Sequence, residues 1–135
     1  MACSDIRHSL QELADGTGRH WAIAVQGRLA GIIGAGGIDR NARKVEIGYW
    51  LAKEYEGKGL MTRAGKALVA YLFETAALNR LDIRCDVRNT RSRALAERLG
   101  FMHEGTRRQA DKIGGEFVDM HCFGLLREEW AQLCP

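Results

Sequence analysis

From Val45 to Leu51 the side chains alternate in character. Val45, Ile47, Tyr49 and Leu51 fall on one side and Glu46, Gly48 and Trp50 on the other, the two-residue period of a strand. Further on the period changes: Met61, Ala64, Leu68, Tyr71 or Leu72, and Thr75 recur at three- and four-residue steps, which predicts a helix over 60–77. Between the two patterns lies Glu56-Gly57-Lys58-Gly59-Leu60-Met61-Thr62, a short turn bearing two glycines.

The same reading extends along the chain. Apolar residues at 6, 10 and 13 predict a short amphipathic helix over 5–14, stopped by Asp15-Gly16-Thr17-Gly18. Residues 21–25 alternate as a strand, Gln26-Gly27-Arg28 turns the chain into a strand over 29–38, and the polar run 39–43 turns it again into 44–51. Three antiparallel strands therefore precede the glycine turn. Beyond the first long helix, 81–88 reads as a strand with Ile83, Cys85 and Val87 on one face. Residues 89–99 read as a helix capped by Asn89 or Thr90 and ended by Gly100, and 101–108 with 116–126 form a hairpin around Lys112-Ile-Gly-Gly115. Two helices that each connect strands, among otherwise antiparallel neighbours, give an α+β fold: a mixed, mostly antiparallel central sheet flanked by helices, one on each side.

Composition narrows the class. The chain has 135 residues, 46% of them apolar, enough for one core and a single domain over 1–135. Twenty basic against seventeen acidic residues leave +3 with no block of like charge, so neither nucleic acid nor a membrane surface is an expected partner. Cys3, Cys85, Cys122 and Cys134 show no paired spacing and His103 and His121 have no spaced partners, so no metal is expected. Without a signal peptide or long apolar segment, reduced thiols and a cytoplasmic location are expected. The single proline is Pro135, and no linker divides the chain.

A strand feeding a glycine turn and a helix start is suited to phosphate. Glycines let the backbone approach closely, the first helical N–H groups lack intrahelical acceptors, and the helix dipole favours an anion there. Two nucleotide motifs are excluded: Gly57-Lys58 is followed by Gly59 rather than Ser or Thr with Ala at 52, and two glycines do not make the three-glycine dinucleotide fingerprint.

Residues 45–62, the run from Asn79 to Ser92 and Glu97-Arg-Leu-Gly-Phe101 together resemble the GNAT superfamily of acetyl-CoA-dependent N-acetyltransferases, and within it the ribosomal-protein serine/alanine N-terminal branch. The resemblance runs from about residue 6 to Trp130. It implies that strands 44–51 and 81–88 run parallel and splay apart, with the pantetheine arm of acetyl-CoA in the gap. It implies a cosubstrate site of Tyr49, Trp50 and Leu51 on the strand edge, Glu56, Gly57, Lys58, Gly59, Leu60, Met61 and Thr62 around the pyrophosphate, and Asn89 on the pantetheine. Glu56 departs from the family's Gln or Arg, and Met61 fills a small-residue slot. Asn89 fits a helix cap equally well, and Lys58 and Arg63 fit solvated charges at a helix start.

For chemistry, the family tyrosine seven residues after the asparagine is absent, since position 96 is Ala; Ser92 matches the branch's serine as an acid for the departing thiolate, and reads equally as a first-turn helix residue. Glu46 and Asp111 are the two candidate bases; Glu46 also reads as an outward strand position and Asp111, in the final hairpin, as an exposed turn carboxylate. The resemblance further implies an amine acceptor, foremost a protein N-terminus, with a polyamine or aminoglycoside as runner-up and a non-catalytic acetyl-CoA-binding module as the rival. It also implies a homodimer through the last strands, and a strand and helix that the branch carries ahead of residue 5 and this chain lacks.

Overall fold

The computed structural model describes residues 6–12, as backbone, and residues 19–133. Its strands are β1 (Ile6–Glu12), β2 (Arg19–Val25), β3 (Arg28–Asp39), β4 (Lys44–Leu51), β5 (Arg80–Asp86), β6 (Met102–Ile113) and β7 (Glu116–Leu126). Its helices are α1 (Leu60–Glu74), α2 (Thr90–Arg98) and α3 (Arg127–Leu133), with one 3-10 turn at Lys53–Tyr55. The strands make one sheet in the order β1-β2-β3-β4-β5-β7-β6. Only β4 and β5 pair in parallel, as the crossover through α1 requires; every other neighbour is antiparallel.

The α1 pattern is that of a helix with one buried stripe. Leu60, Met61, Ala64, Gly65, Leu68, Val69, Leu72 and Phe73 all face inward, in pairs four residues apart. They pack on Val45 and Ile47 of β4 and on Leu81, Ile83 and Cys85 of β5, the odd-numbered face of both strands. Burying each large side chain contributes roughly 1.5–3 kcal/mol.

Three expectations need correction. Residues 6–12 pair with β2 as a strand, Ile6 opposite Val25 through Glu12 opposite Arg19, so four strands precede the glycine turn and no helix spans 5–14. The step of four between residues 6 and 10 is two strand periods as well as about one helical turn, so that pattern did not distinguish the two; the supposed stop at 15–18 lies outside the described residues. Second, the helices do not divide between the faces. Leu95, Ala96 and Leu99 join the same core as Leu68 and Leu72, and Trp130 of α3 lies against Phe73 with ring centroids 5.3 Å apart. Among the described residues no helix covers the even-numbered face, where Ile32 and Trp50 are exposed. Third, Asp111 is not in a turn. β6 runs on to Ile113, and the hairpin turns on Gly114 and Gly115, both at positive φ.

Phe73 is fully buried at the junction of α1 and α3. Phe73→Ala is expected to cost about 3–5 kcal/mol of stability, read from urea denaturation.

Candidate active site

β4 and β5 pair at only three positions, Lys44 with Arg80, Val45 with Leu81 and Glu46 with Asp82. β4 then continues to Leu51 and β5 to Asp86, each held on its outer edge by β3 or β7 and neither by the other. The base of the fork is tied by the Asn79 and Arg80 amides, which donate to the Arg43 carbonyl at 2.7 and 3.1 Å. Above it the strands separate, and a cavity of about 970 Å³ opens at the end of the fork. Tyr49, Trp50 and Leu51 line one wall, Asn89, Thr90, Arg91, Ser92, Ala94, Leu95 and Arg98 the other, and Glu56, Gly57, Gly59, Leu60, Met61, Thr62 and Arg63 the end.

The end wall is a bare helix N-terminus. Gly59, at φ 75°, is the N-cap of α1 and no side chain caps the helix. Gly57 has φ 79°, and a Cβ at either glycine would meet nothing within 4 Å, so these residues are needed for backbone conformation and not for want of room. The first intrahelical donor is the Arg63 amide, to the Gly59 carbonyl at 3.1 Å, which leaves the Leu60, Met61 and Thr62 amides without acceptors in the helix. Arg63, Arg91 and Arg98 add positive charge around them. Glu56 turns to Arg91, with an ion-pair distance of 3.5 Å, which offsets the charge of its carboxylate beside the cavity. Lys58 does not line the cavity; its ammonium lies over the Tyr55 ring.

On the far wall Asn89 caps α2, its Oδ1 accepting from the Ser92 amide at 3.0 Å. Ser92 is the one buried polar side chain among the described residues. Its hydroxyl lies 2.5 Å from that of Tyr49, which crosses from β4 on the opposite wall. Burial pushes the Tyr49 phenol above its ordinary range, against a smaller opposite pull from the Ser92 hydrogen bond. The neighbouring Cys85 thiol is likewise pushed up by burial, and Ser92 again opposes the shift.

The two candidate carboxylates lie on the other, uncovered face and are brought together there. Arg84 of β5 donates to Glu46 at 3.0 Å and pairs with Asp111 at 3.5 Å. Glu46 is the nearer and the larger cause of the upward shift of the Arg84 pKa. Asp111 is presented by an irregular stretch of β6 between Arg107 and Asp111, where Gln109 adopts φ 48° and its amide bonds Asp119. Beside Glu46 runs a groove of about 780 Å³ with a floor of Gly34, Gly36 and Gly48 and the exposed side chains of Ile32 and Trp50. Tyr49 and Trp50 line both this groove and the fork cavity.

Sequence reasoning missed the Tyr49 hydroxyl, Arg84, Arg91 and Arg98. Arg91 and Arg98 had a signal: seven residues apart, they lie two turns apart on one helix face. Elsewhere, His103 and His121 are each other's partners, ring nitrogens 3.1 Å apart, with Thr106 at 3.0 Å. No group of three or more metal-ligating side chains occurs among the described residues.

The model for the acetyltransferase (GNAT) domain matches residues 2–102. The chain belongs to the GNAT family. It is 42% identical over 120 residues to the putative ribosomal N-acetyltransferase YdaF of Bacillus subtilis (strain 168), covering 89% of this chain and 66% of that protein. It is 29% identical to the spermidine N(1)-acetyltransferase of Escherichia coli (strain K12), over 79% of this chain and 58% of that one. Among solved structures it resembles RimL, a ribosomal alpha-N-protein acetyltransferase in complex with coenzyme A, at TM-score 0.79 and 28% identity, over 83% of this chain and 63% of that one. The chain thus spans about two thirds or less of these relatives. No helix among the described residues is long and apolar enough to cross a membrane.

Gly59→Trp is expected to abolish coenzyme A binding in isothermal titration, because its indole would stand over the free amides of α1. Gly59→Ala, strained by about 1–2 kcal/mol in the left-handed region, should weaken binding without removing it.

Proposed function

We propose that this chain is an acetyl-CoA-dependent N-acetyltransferase acting on a protein N-terminal amine. One observation carries the proposal: two parallel strands part after three pairs and open onto an uncapped helix N-terminus ringed by arginines. In this reading the pyrophosphate of acetyl-CoA sits on the amides of Leu60, Met61 and Thr62, with Gly57, Lys58 and Gly59 shaping the loop around it. The amide-bearing pantetheine lies in the gap as an added strand beside Tyr49, Trp50 and Leu51, flanked by Asn89. The thioester then reaches the point where Tyr49 and Trp50 border both cavities, and the acceptor arrives along the glycine-floored groove from the other face.

The chemistry is direct. The incoming ammonium loses a proton to Glu46 or Asp111, through contact or a water, and the free amine attacks the thioester carbonyl. The nitrogen loses its second proton to water as the tetrahedral adduct collapses, the C–S bond breaks with its electron pair on sulfur, and water returns one proton to the thiolate. In this reading Ser92, on the cleft wall, is the hydroxyl that hydrogen-bonds that sulfur. Glu46 lines the groove and Arg84 joins Asp111 to it, so both carboxylates lie on the acceptor's side of the fork.

The groove favours a peptide over a polyamine. Its two carboxylates are already paired, Glu46 with Arg84 at 3.0 Å and Asp82 with Arg80 at 2.6 Å, and little negative charge is left for a polycation. Its glycine floor and the exposed Trp50 suit an extended chain with a small first residue. A homodimer through the last strands remains part of the proposal, to be read by light scattering.

Acetyl-CoA at a hundred times its Kd is expected to stabilise the protein by about 2.7 kcal/mol in thermal melts. Thiol release should be faster with peptides that begin in Ser or Ala than with spermidine or an aminoglycoside. Of Glu46→Gln and Asp111→Asn, the substitution that removes the base should lower kcat/KM by about 10²–10⁴-fold. Stabilisation without turnover of any amine would instead mark a binding module.

A further inference from the structure

Tyr49 and Ser92 stand on opposite walls of the fork, and their two hydroxyls share a short contact of 2.5 Å. The phenolic oxygen is also 3.2 Å from the Ser92 carbonyl. Two protons can be placed here in two ways. In the first, Ser92 donates to the phenol and Tyr49 donates to the carbonyl, so the serine proton is consumed inside the protein. In the second, Tyr49 donates to Ser92 Oγ, and the serine proton is left for another acceptor. A phenol is a much stronger acid than an aliphatic hydroxyl, which makes it the donor of the shorter bond.

The position matters as much as the donor order. Ser92 is the third residue of α2, its amide fixed by Asn89, so its Cα cannot swing; only the direction of its hydroxyl proton is free. Tyr49 is the side chain that sets that direction. Its ring packs against the core and its oxygen reaches the cavity that both residues line.

We propose that Tyr49 is a positioning residue: by donating to Ser92 Oγ it turns the serine proton toward the cleft, onto the sulfur that leaves as thiolate. This rests on the transferase reading given above. Both hydroxyls keep their own protons throughout. When the C–S bond breaks and its electron pair settles on sulfur, the chain from Tyr49 through Ser92 polarises toward that charge, and the proton that finally restores the thiol comes from water. Raised above its ordinary value, the phenol stays neutral, and so remains a donor, across the whole working pH range.

The Tyr49–Ser92 contact also braces the two walls, so the test must separate aim from bracing. Coenzyme A and its analogue lacking sulfur, desulfo-coenzyme A, are titrated calorimetrically into the wild-type protein, Tyr49→Phe and Ser92→Ala between pH 7 and 9.5. In the wild type, coenzyme A should bind more tightly than the analogue by about tenfold where its thiol is ionised, the worth of one charge-assisted hydrogen bond. Tyr49→Phe should reduce that ratio to the Ser92→Ala value and leave the analogue's affinity unchanged; a loss of bracing would weaken both ligands alike. Turnover should show the same split, with kcat down about tenfold and KM for acetyl-CoA unchanged. Should Tyr49→Phe fail to fold, 3-fluorotyrosine placed at position 49 keeps the shape but carries a more acidic phenol, and the ratio should fall at the alkaline end, where that phenol ionises and ceases to donate. A wild-type ratio retained in these variants overturns the inference alone, whereas failure of the wild-type protein to bind either ligand overturns the transferase reading with it.

Discussion

The structure depends on a sheet that stops pairing part-way. β4 and β5 share three positions and then diverge, while each keeps its other neighbour, so the sheet stays continuous at one end and forks at the other. Backbone donors and acceptors along the inner edges of a fork must find partners elsewhere, and a chain-like ligand carrying its own amides can supply them. The core makes the fork rigid. Leu81 and Ile83 below and Tyr49 and Ser92 above are tied to α1 and α2, which pack on the same face, and Gly65 of α1 lets Leu99 of the α2 C-terminus approach closely. Having both helices on one side also leaves the opposite face open to a second ligand.

That asymmetry separates two electrostatic environments. On the helical face, free amides of α1, Arg63, Arg91 and Arg98 gather positive charge where a pyrophosphate would lie, and the Glu56 carboxylate is paired with Arg91. On the open face, Arg84 binds Glu46 and Asp111 together, and Arg80 holds Asp82 and Glu104. A transfer reaction needs a proton taken from the nucleophile on one side of the thioester and a donor for the leaving group on the other. The fork puts the carboxylates on its open face and the Tyr49 and Ser92 hydroxyls in the cleft, with the strand edge between them, which is the arrangement the proposed transfer would use.

Much of this was legible in the residues. The change of period between Leu51 and Met61, with glycines at 57 and 59, located both the helix start and the loop at its end, and Asn89 caps α2 as its side chain suggested. Residues 6–12 misled because a four-residue step suits either period. Asp111 was expected in a turn, since a local pattern cannot foresee the irregular pairing that carries β6 past it. The partners Tyr49–Ser92 and Glu46–Arg84–Asp111 were beyond reach for a related reason. Each joins residues tens of positions apart, and only the register of a folded sheet brings them to one point.

The central claim is that main-chain amides at the start of α1 hold the diphosphate of a coenzyme A thioester. It is tested most directly by following the backbone amide resonances of the 15N-labelled protein as coenzyme A is added. The account predicts large downfield shifts concentrated at residues 57–62, reproduced by the 3′-phosphoadenosine 5′-diphosphate fragment but not by pantetheine alone. Shifts that leave those six amides in place while the ligand binds elsewhere would contradict it.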